Sequence, residues 1–261
     1  QVQDPKEVFD FILDDLDKAI AGLPDKPSNK SKIGKPAARL LRARAAAYAA
    51  GYLNDKSYFQ ITLDETAQLV ASAPQLADFD KLFVTGCEDL DEVILVRRYS
   101  LDATNSWGNW YNQSIGGYCV TTPVKALADA FEYVGERNET MPYLNKDPRF
   151  YQTIYAPGME MRGKYFNTGL SWKKYCQEEE TWTTYNSFII FRYAEAYLLR
   201  AEALVETGGS TDEAKSLIKV IRDRAGNTND IDKMVAERYN GSLRDLVRNE
   251  RRVELAQEGL R

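Results

Sequence analysis

The feature that most constrains the fold of this chain is a run of three apolar-periodic segments, in fixed order, in its last third. Ile189 to Leu204, Ile218 to Gly226 and Asn249 to Arg261 each repeat apolar residues at three- and four-residue steps, the spacing that gives a helix one apolar stripe to bury against a neighbour. The start of the chain follows the same plan. Asp4-Pro5-Lys6-Glu7 supplies a helix N-cap, a proline at the first helical position and an acid three residues after the cap. Val8, Phe9, Ile12, Leu13, Leu16, Ala19, Ile20 and Leu23 then mark one helix face, which Pro24 stops. A second helix is expected from Lys35-Pro36 to Gly51, rich in alanine so that a neighbouring helix can approach closely. In the C-terminal half the helix through Arg192 to Glu206 ends at Gly208-Gly209, and Ser210-Thr211-Asp212-Glu213 opens the next as a capping box.

Helix pairs of this length and alanine content read as tetratricopeptide-like hairpins, here without a regular period between the pairs. The expected fold is mainly α, a single domain over 1–261, with helical hairpins at 1–53 and 189–261 and a large irregular, loop-rich insertion at 99–188. Within that insertion helical periodicity survives only from Val124 to Tyr133, while all 4 tryptophans and 10 of the 16 tyrosines fall there. An aromatic-laden connection of such length inside a compact domain is usually functional.

Composition removes several functions. With 34 basic and 39 acidic side chains the net charge is −5, which offers nucleic acid no counterion-releasing surface. Histidine is absent, so imidazole bases, His metal sites and His-based triads are excluded. Cys87, Cys119 and Cys176 are odd in number and far apart, and read as buried apolar side chains. No apolar run reaches the roughly 18 residues a membrane-spanning helix needs, and no signal peptide is visible behind Gln1. Arg248, Arg251 and Arg252, interleaved with Glu250, Glu254 and Glu258, read as intrahelical ion pairs on a solvated face.

Aromatic faces flanked by amides and carboxylates suit the apolar side of a sugar ring and its hydroxyls. Trp107, Asn109, Trp110, Tyr111 and Asn112 form such a stretch, with loop packing as the competing role for both tryptophans. Trp182 and Tyr185 sit at what reads as a loop tip beyond the acidic run Glu178 to Glu180, suited to a ligand or to a partner. Trp172 reads as packing, and Arg137, Asn138 and Tyr143 form a further polar-aromatic loop. The acid pairs lack any motif of a glycosidase, and Asn227 to Asp232, short of a calcium loop's Gly and terminal Glu, reads as the linker after the Gly226 cap.

The three C-terminal segments, Ile189 to Leu204, Ile218 to Gly226 and Asn249 to Arg261, together closely resemble the C-terminal signature of the SusD/RagB family. Thr122-Pro123-Val124 with Leu127 and Asp129 to Phe131 resembles its TPS helix, Lys146 to Phe150 with Tyr155 to Gly158 its R-D-P-R-F turn, and Thr168-Gly169 with Lys173 to Tyr175 its KKY element. The resemblance implies a cell-surface, lipid-anchored outer-membrane protein that binds oligosaccharide and hands it to a SusC-like TonB-dependent transporter, without catalysis or cofactor. It implies further that the N-terminal part, with the lipid anchor, and the extreme C-terminal part lie outside this chain. The alternative on the helices alone is a tetratricopeptide-like adaptor that captures a peptide.

Overall fold

The computed structural model describes residues 4–99, 121–157, 159, 169–175 and 186–260. Helix α1 (Pro5–Gly22) starts where Asp4 accepts the Lys6 N–H, and α2 (Lys35–Leu53) ends at Asn54 in the left-handed conformation. A third helix, α3 (Phe59–Ala71), follows directly. The next regular elements are the strand β1 (Val93–Arg97), the short helix α4 (Lys125–Ala130), the single turn α5 (Phe150–Thr153) and the two-residue strands β2 (Ile154–Tyr155) and β3 (Ser171–Trp172). Strand β4 (Phe188–Arg192) leads into α6 (Tyr193–Thr207), α7 (Thr211–Ala225), α8 (Ile231–Glu237) and α9 (Leu243–Glu254).

The long helices stack in series: α1 on α2, α2 on α3, α3 on α6 and α6 on α7, with α9 across α6. Alanines make the close approaches possible, since Ala43, Ala46 and Ala49 of α2 and Ala196, Ala201 and Ala203 of α6 are all fully buried. The two hairpins inferred from sequence are therefore joined by α3 into one continuous stack. Ala46→Leu will lower stability by about 1 to 3 kcal/mol through overpacking, read as a fall in the urea midpoint at unchanged m; a neutral result would mean that the α2 face is not close-packed.

Two expectations need correction. Ile189 to Arg192 is not the first turn of a helix but strand, paired antiparallel with β1 in the register Val93↔Arg192, Leu95↔Phe191 and Val96↔Ile189. A short apolar run cannot be assigned to helix or strand by period alone, and the partner strand that decides it lies about a hundred residues earlier. The last helix ends at Glu254, with Leu255 to Gly259 as turn. The remaining caps match expectation: Ser210 accepts the Glu213 N–H and Gly208 and Gly226 close α6 and α7 in the left-handed conformation. The loop after Gly226 is shorter than read, since Asp230 caps α8 at once.

Candidate functional site

The loop-rich part is held to the helical stack through the turn at Lys146 to Phe150. Asp147 Oδ1 accepts the Arg149 N–H at 2.9 Å, a local bond that shapes the turn and aims the arginine inward. Phe150 enters a cluster with Phe131, Tyr143 and Tyr151, stacked on Tyr143 at 5.6 Å and edge-on to the other two. Leu127, Ile154 and Leu170 complete this core, which Val253 of α9 and Ala256 of the turn after it cover.

Beneath the turn lies a buried cluster of charges, drawn from all three C-terminal segments, the Lys146–Phe150 turn and the Lys173–Tyr175 element, with Glu92 and Glu132. Arg149 meets Asp147 at 2.7 Å, Glu250 at 2.6 Å and Glu254 at 2.9 Å. Arg192, at the end of β4, reaches Glu92 at 2.9 Å, Glu254 at 2.7 Å and Glu258 at 2.7 Å. Arg222 of α7 bridges Glu132 and Glu250, Arg224 binds Glu254, and Lys174 bonds Glu258 together with the Glu254 and Ala256 carbonyls. The guanidinium fork allows each arginine several directed bonds at once, which is what a desolvated charge requires.

The field inside the cluster follows from these contacts. Burial opposes the charge on Glu254, but Arg224, Arg192 and Arg149 outweigh it and hold its carboxyl well below the usual range. Glu258 is likewise lowered, with burial overcome by Arg192 and Lys174, and Asp147 and Glu132 are lowered against burial by Arg149 and Arg222 respectively. Burial wins at Lys174, whose ammonium is pushed down to about 8 despite Glu258.

The placing of Glu250, Glu254 and Glu258 on a solvated face was wrong. All three are buried and pair with arginines or lysine from other elements, while Arg248 turns outward to Glu206 and Arg251, largely covered, pairs with Glu202 of α6. Four-residue spacing does put Glu250 and Glu254 on one face of α9, and the turn that follows brings Glu258 in beside them. That face is the inner one, because it is flanked by the buried Leu246, Val247 and Val253. The signal available in sequence was the coincidence of unusually many Arg and Glu with the apolar stripes, which helix periodicity alone does not interpret.

The candidate ligand residues Trp107, Asn109, Trp110, Tyr111, Asn112, Trp182 and Tyr185 lie outside the described residues, as do Cys119 and Cys176. Trp172 is half-buried in β3 against the Phe131–Phe150 core, in keeping with its packing role. In the third loop Asn138 Oδ1 is taken up by the N–H groups of Thr140 and Met141, and Tyr143 by its stack on Phe150; Arg137 is exposed, over the Tyr133 ring at 5.9 Å and 3.5 Å from Glu139. Cys87 is buried, and burial pushes its thiol up to about 12, so it is a packing residue rather than a nucleophile. A groove of about 360 Å³ runs between α7 and the start of α8, lined by residues that include Lys215, Lys219, Asn227, Asn229, Ile231 and Asp232. Its lysines are held by Asp232 and Asp223, and both asparagine amides turn inward to Glu132. Among the described residues no helix is long and apolar enough to cross a membrane.

Comparison with known proteins places this architecture. Over 140 residues the chain is 34% identical to a SusD-like protein, P38, of Formosa agariphila, covering 49% of this chain and 26% of that one. It superposes on a SusD-like protein of Bacteroides fragilis with a TM-score of 0.76 at 25% identity, covering 98% of this chain and 59% of that chain. A SusD-like carbohydrate-binding protein from the same organism gives a TM-score of 0.80 at 20% identity, with 98% and 57% covered. The chain thus spans little more than half the length of these solved relatives and about a quarter of the first. Residues 91–261, which hold the β1–β4 pair, the buried charge cluster and the whole loop-rich part, match the SusD family, and the chain belongs to that family.

Proposed function

We propose that this protein binds an oligosaccharide at the surface of the outer membrane and passes it, chemically unchanged, to a SusC-like TonB-dependent transporter. The observation that carries the reading is membership of the SusD family over the stretch that contains the aromatic-rich insertion. The described structure supports it in one further respect: the insertion is tied to the helical frame by directed buried ion pairs, which would hold a binding surface in place without a mobile hinge. Trp107, Trp110 and Trp182 are the proposed stacking faces, and Asn109, Tyr111, Asn112 and Tyr185 the groups for sugar hydroxyls. Anchoring would come through a lipid outside this chain.

Titration calorimetry of the full-length protein against a panel of oligosaccharides tests this. Trp107→Ala or Trp110→Ala is expected to weaken binding by about 1 to 3 kcal/mol, the worth of an aromatic stacking face. No heat from any glycan, or no change in either variant, would remove the proposed role. The adaptor reading has one observation in its favour: Leu41, Tyr48 and Tyr52 expose an apolar stripe along α2, a surface suited to an amphipathic peptide helix. Recovery of the protein from membranes with a large β-barrel supports transport, and recovery with a soluble partner supports the adaptor.

A further inference from the structure

While the inner face of α9 feeds Glu250 and Glu254 into the buried cluster, its outer face is a row of arginines. The exposed side chains of this helix are Arg244, Asp245, Arg248 and Arg252. The three arginines follow one another at four-residue steps, so they lie along one line of the helix with a rise of about 6 Å from each to the next. Arg244 and Arg248 are each half exposed.

The carboxylates beside this row do not match it. Glu206, near the end of α6, is buried and serves both Arg244 and Arg248 through one oxygen, at 2.5 and 2.9 Å. Lys56 brings a third cation to the same place, its ammonium donating to the Glu206 carbonyl at 2.7 Å. Burial raises the Glu206 carboxyl, but Arg244, Arg248 and Lys56 outweigh it and hold it below the usual range. Arg251 is taken by Glu202, and Arg252 makes no ion pair or hydrogen bond among the described residues. The cations Lys56, Arg244, Arg248, Arg251 and Arg252 therefore outnumber the acids Asp55, Glu202, Glu206 and Asp245, on a chain whose net charge is −5.

The polar character of the whole outer face selects the partner. A protein interface is built around an apolar core, and a helix that lies in a membrane surface inserts an apolar side; the exposed face of α9 has neither. Guanidinium forks at regular intervals suit a flexible chain that carries carboxylates at intervals of its own, each gripped by one fork. We infer that the outer face of α9, through Arg244, Arg248 and Arg252, binds an acidic polysaccharide whose charged groups are the carboxylates of uronic acid units. The inference rests on the proposed glycan role and narrows the substrate class to charged glycans.

The test titrates the full-length protein with polygalacturonate, with uncharged dextran and with phosphatidylglycerol vesicles, at about 50 mM and again at about 200 mM salt. Polygalacturonate should bind, more weakly at the higher salt, while dextran and the vesicles should not. Arg252→Glu, which removes no contact within the fold, should weaken that binding about tenfold, and Arg244→Ser combined with Arg248→Ser by at least as much. If the double variant fails to fold, because it strips Glu206 of its partners, Arg252→Glu decides alone. Polygalacturonate that does not bind, that binds equally well to Arg252→Glu, or that binds no better than dextran or the vesicles would overturn the inference. Binding of an uncharged oligosaccharide without binding of polygalacturonate would remove the α9 site alone, and binding of neither would remove the glycan role with it.

Discussion

Arg192→Met is expected to destabilise the protein by about 3 to 5 kcal/mol, the cost of leaving buried charges without their partner. Arg192 closes β4 and points its guanidinium between three carboxylates, donating through Nε to Glu258 and through Nη1 to both Glu92 and Glu254, with Nη2 on Glu258 and the Glu254 carbonyl. The methionine fills most of the volume, so the loss measures the polar contacts rather than a cavity. Arg192→Lys should recover only a minor part, because an ammonium is a single point of donors and cannot span acids that the fork reaches from three nitrogens. Urea denaturation followed by circular dichroism checks both variants. A loss under about 1 kcal/mol for Arg192→Met would mean that the cluster contributes no more than a surface pair does.

Acid should unfold the protein earlier and more steeply than its ordinary surface would suggest. Glu254, Glu258, Asp147 and Glu132 all have folded values below those of the unfolded chain, since paired arginines and lysine outweigh burial in each case. The sign follows from linkage: the unfolded chain binds more protons, so stability from these groups is fully present above the ordinary carboxylate range and is lost as pH falls through it towards the folded values. Glu250 runs the other way, its raised value giving stability that is present at low pH and lost as pH rises through it. Thermal unfolding should therefore show a Tm that is nearly level down to about pH 5 and falls steeply below it, with a shallower fall in Glu254→Gln, which lacks one of the titrating groups. A Tm that stays flat to about pH 3 would contradict ionised, arginine-held carboxylates in the interior.

The helices at both ends of the chain were legible because their apolar spacing, caps and terminal glycines agree. Asp4 with Pro5, Ser210 with Glu213 and the left-handed Gly208 and Gly226 are local features, fixed by neighbours in sequence. Helix α3 was not legible. Its β-branched Ile61, Thr62 and Thr66 weaken helix propensity; Thr62 is explained by a tertiary contact, donating to the Ala43 carbonyl of α2, while Thr66 bonds back within the helix to the Thr62 carbonyl. Strands β1 and β4 owe their state to each other across a long separation, which no local pattern carries. The same holds for the charge cluster. Arg149, Lys174, Arg192 and Glu254 stand in motifs that the sequence reading used as family signatures, yet their spacing gives no indication that they meet in one buried place. The proposed stacking tryptophans rest on composition and on the family, with Trp107, Trp110 and Trp182 outside the described residues.

The meeting of insertion and frame through Arg149 and Glu254 is tested most directly by a double-mutant cycle on that pair, with Arg149→Met, Glu254→Gln and the combination compared by urea denaturation. The two residues lie 105 positions apart in sequence and 2.9 Å apart in the fold. The expected result is a strong departure from additivity, with a coupling energy on the order of 1 to 3 kcal/mol and a double variant less damaged than the sum of the singles. Losses that add to within about 0.5 kcal/mol would contradict the clamp.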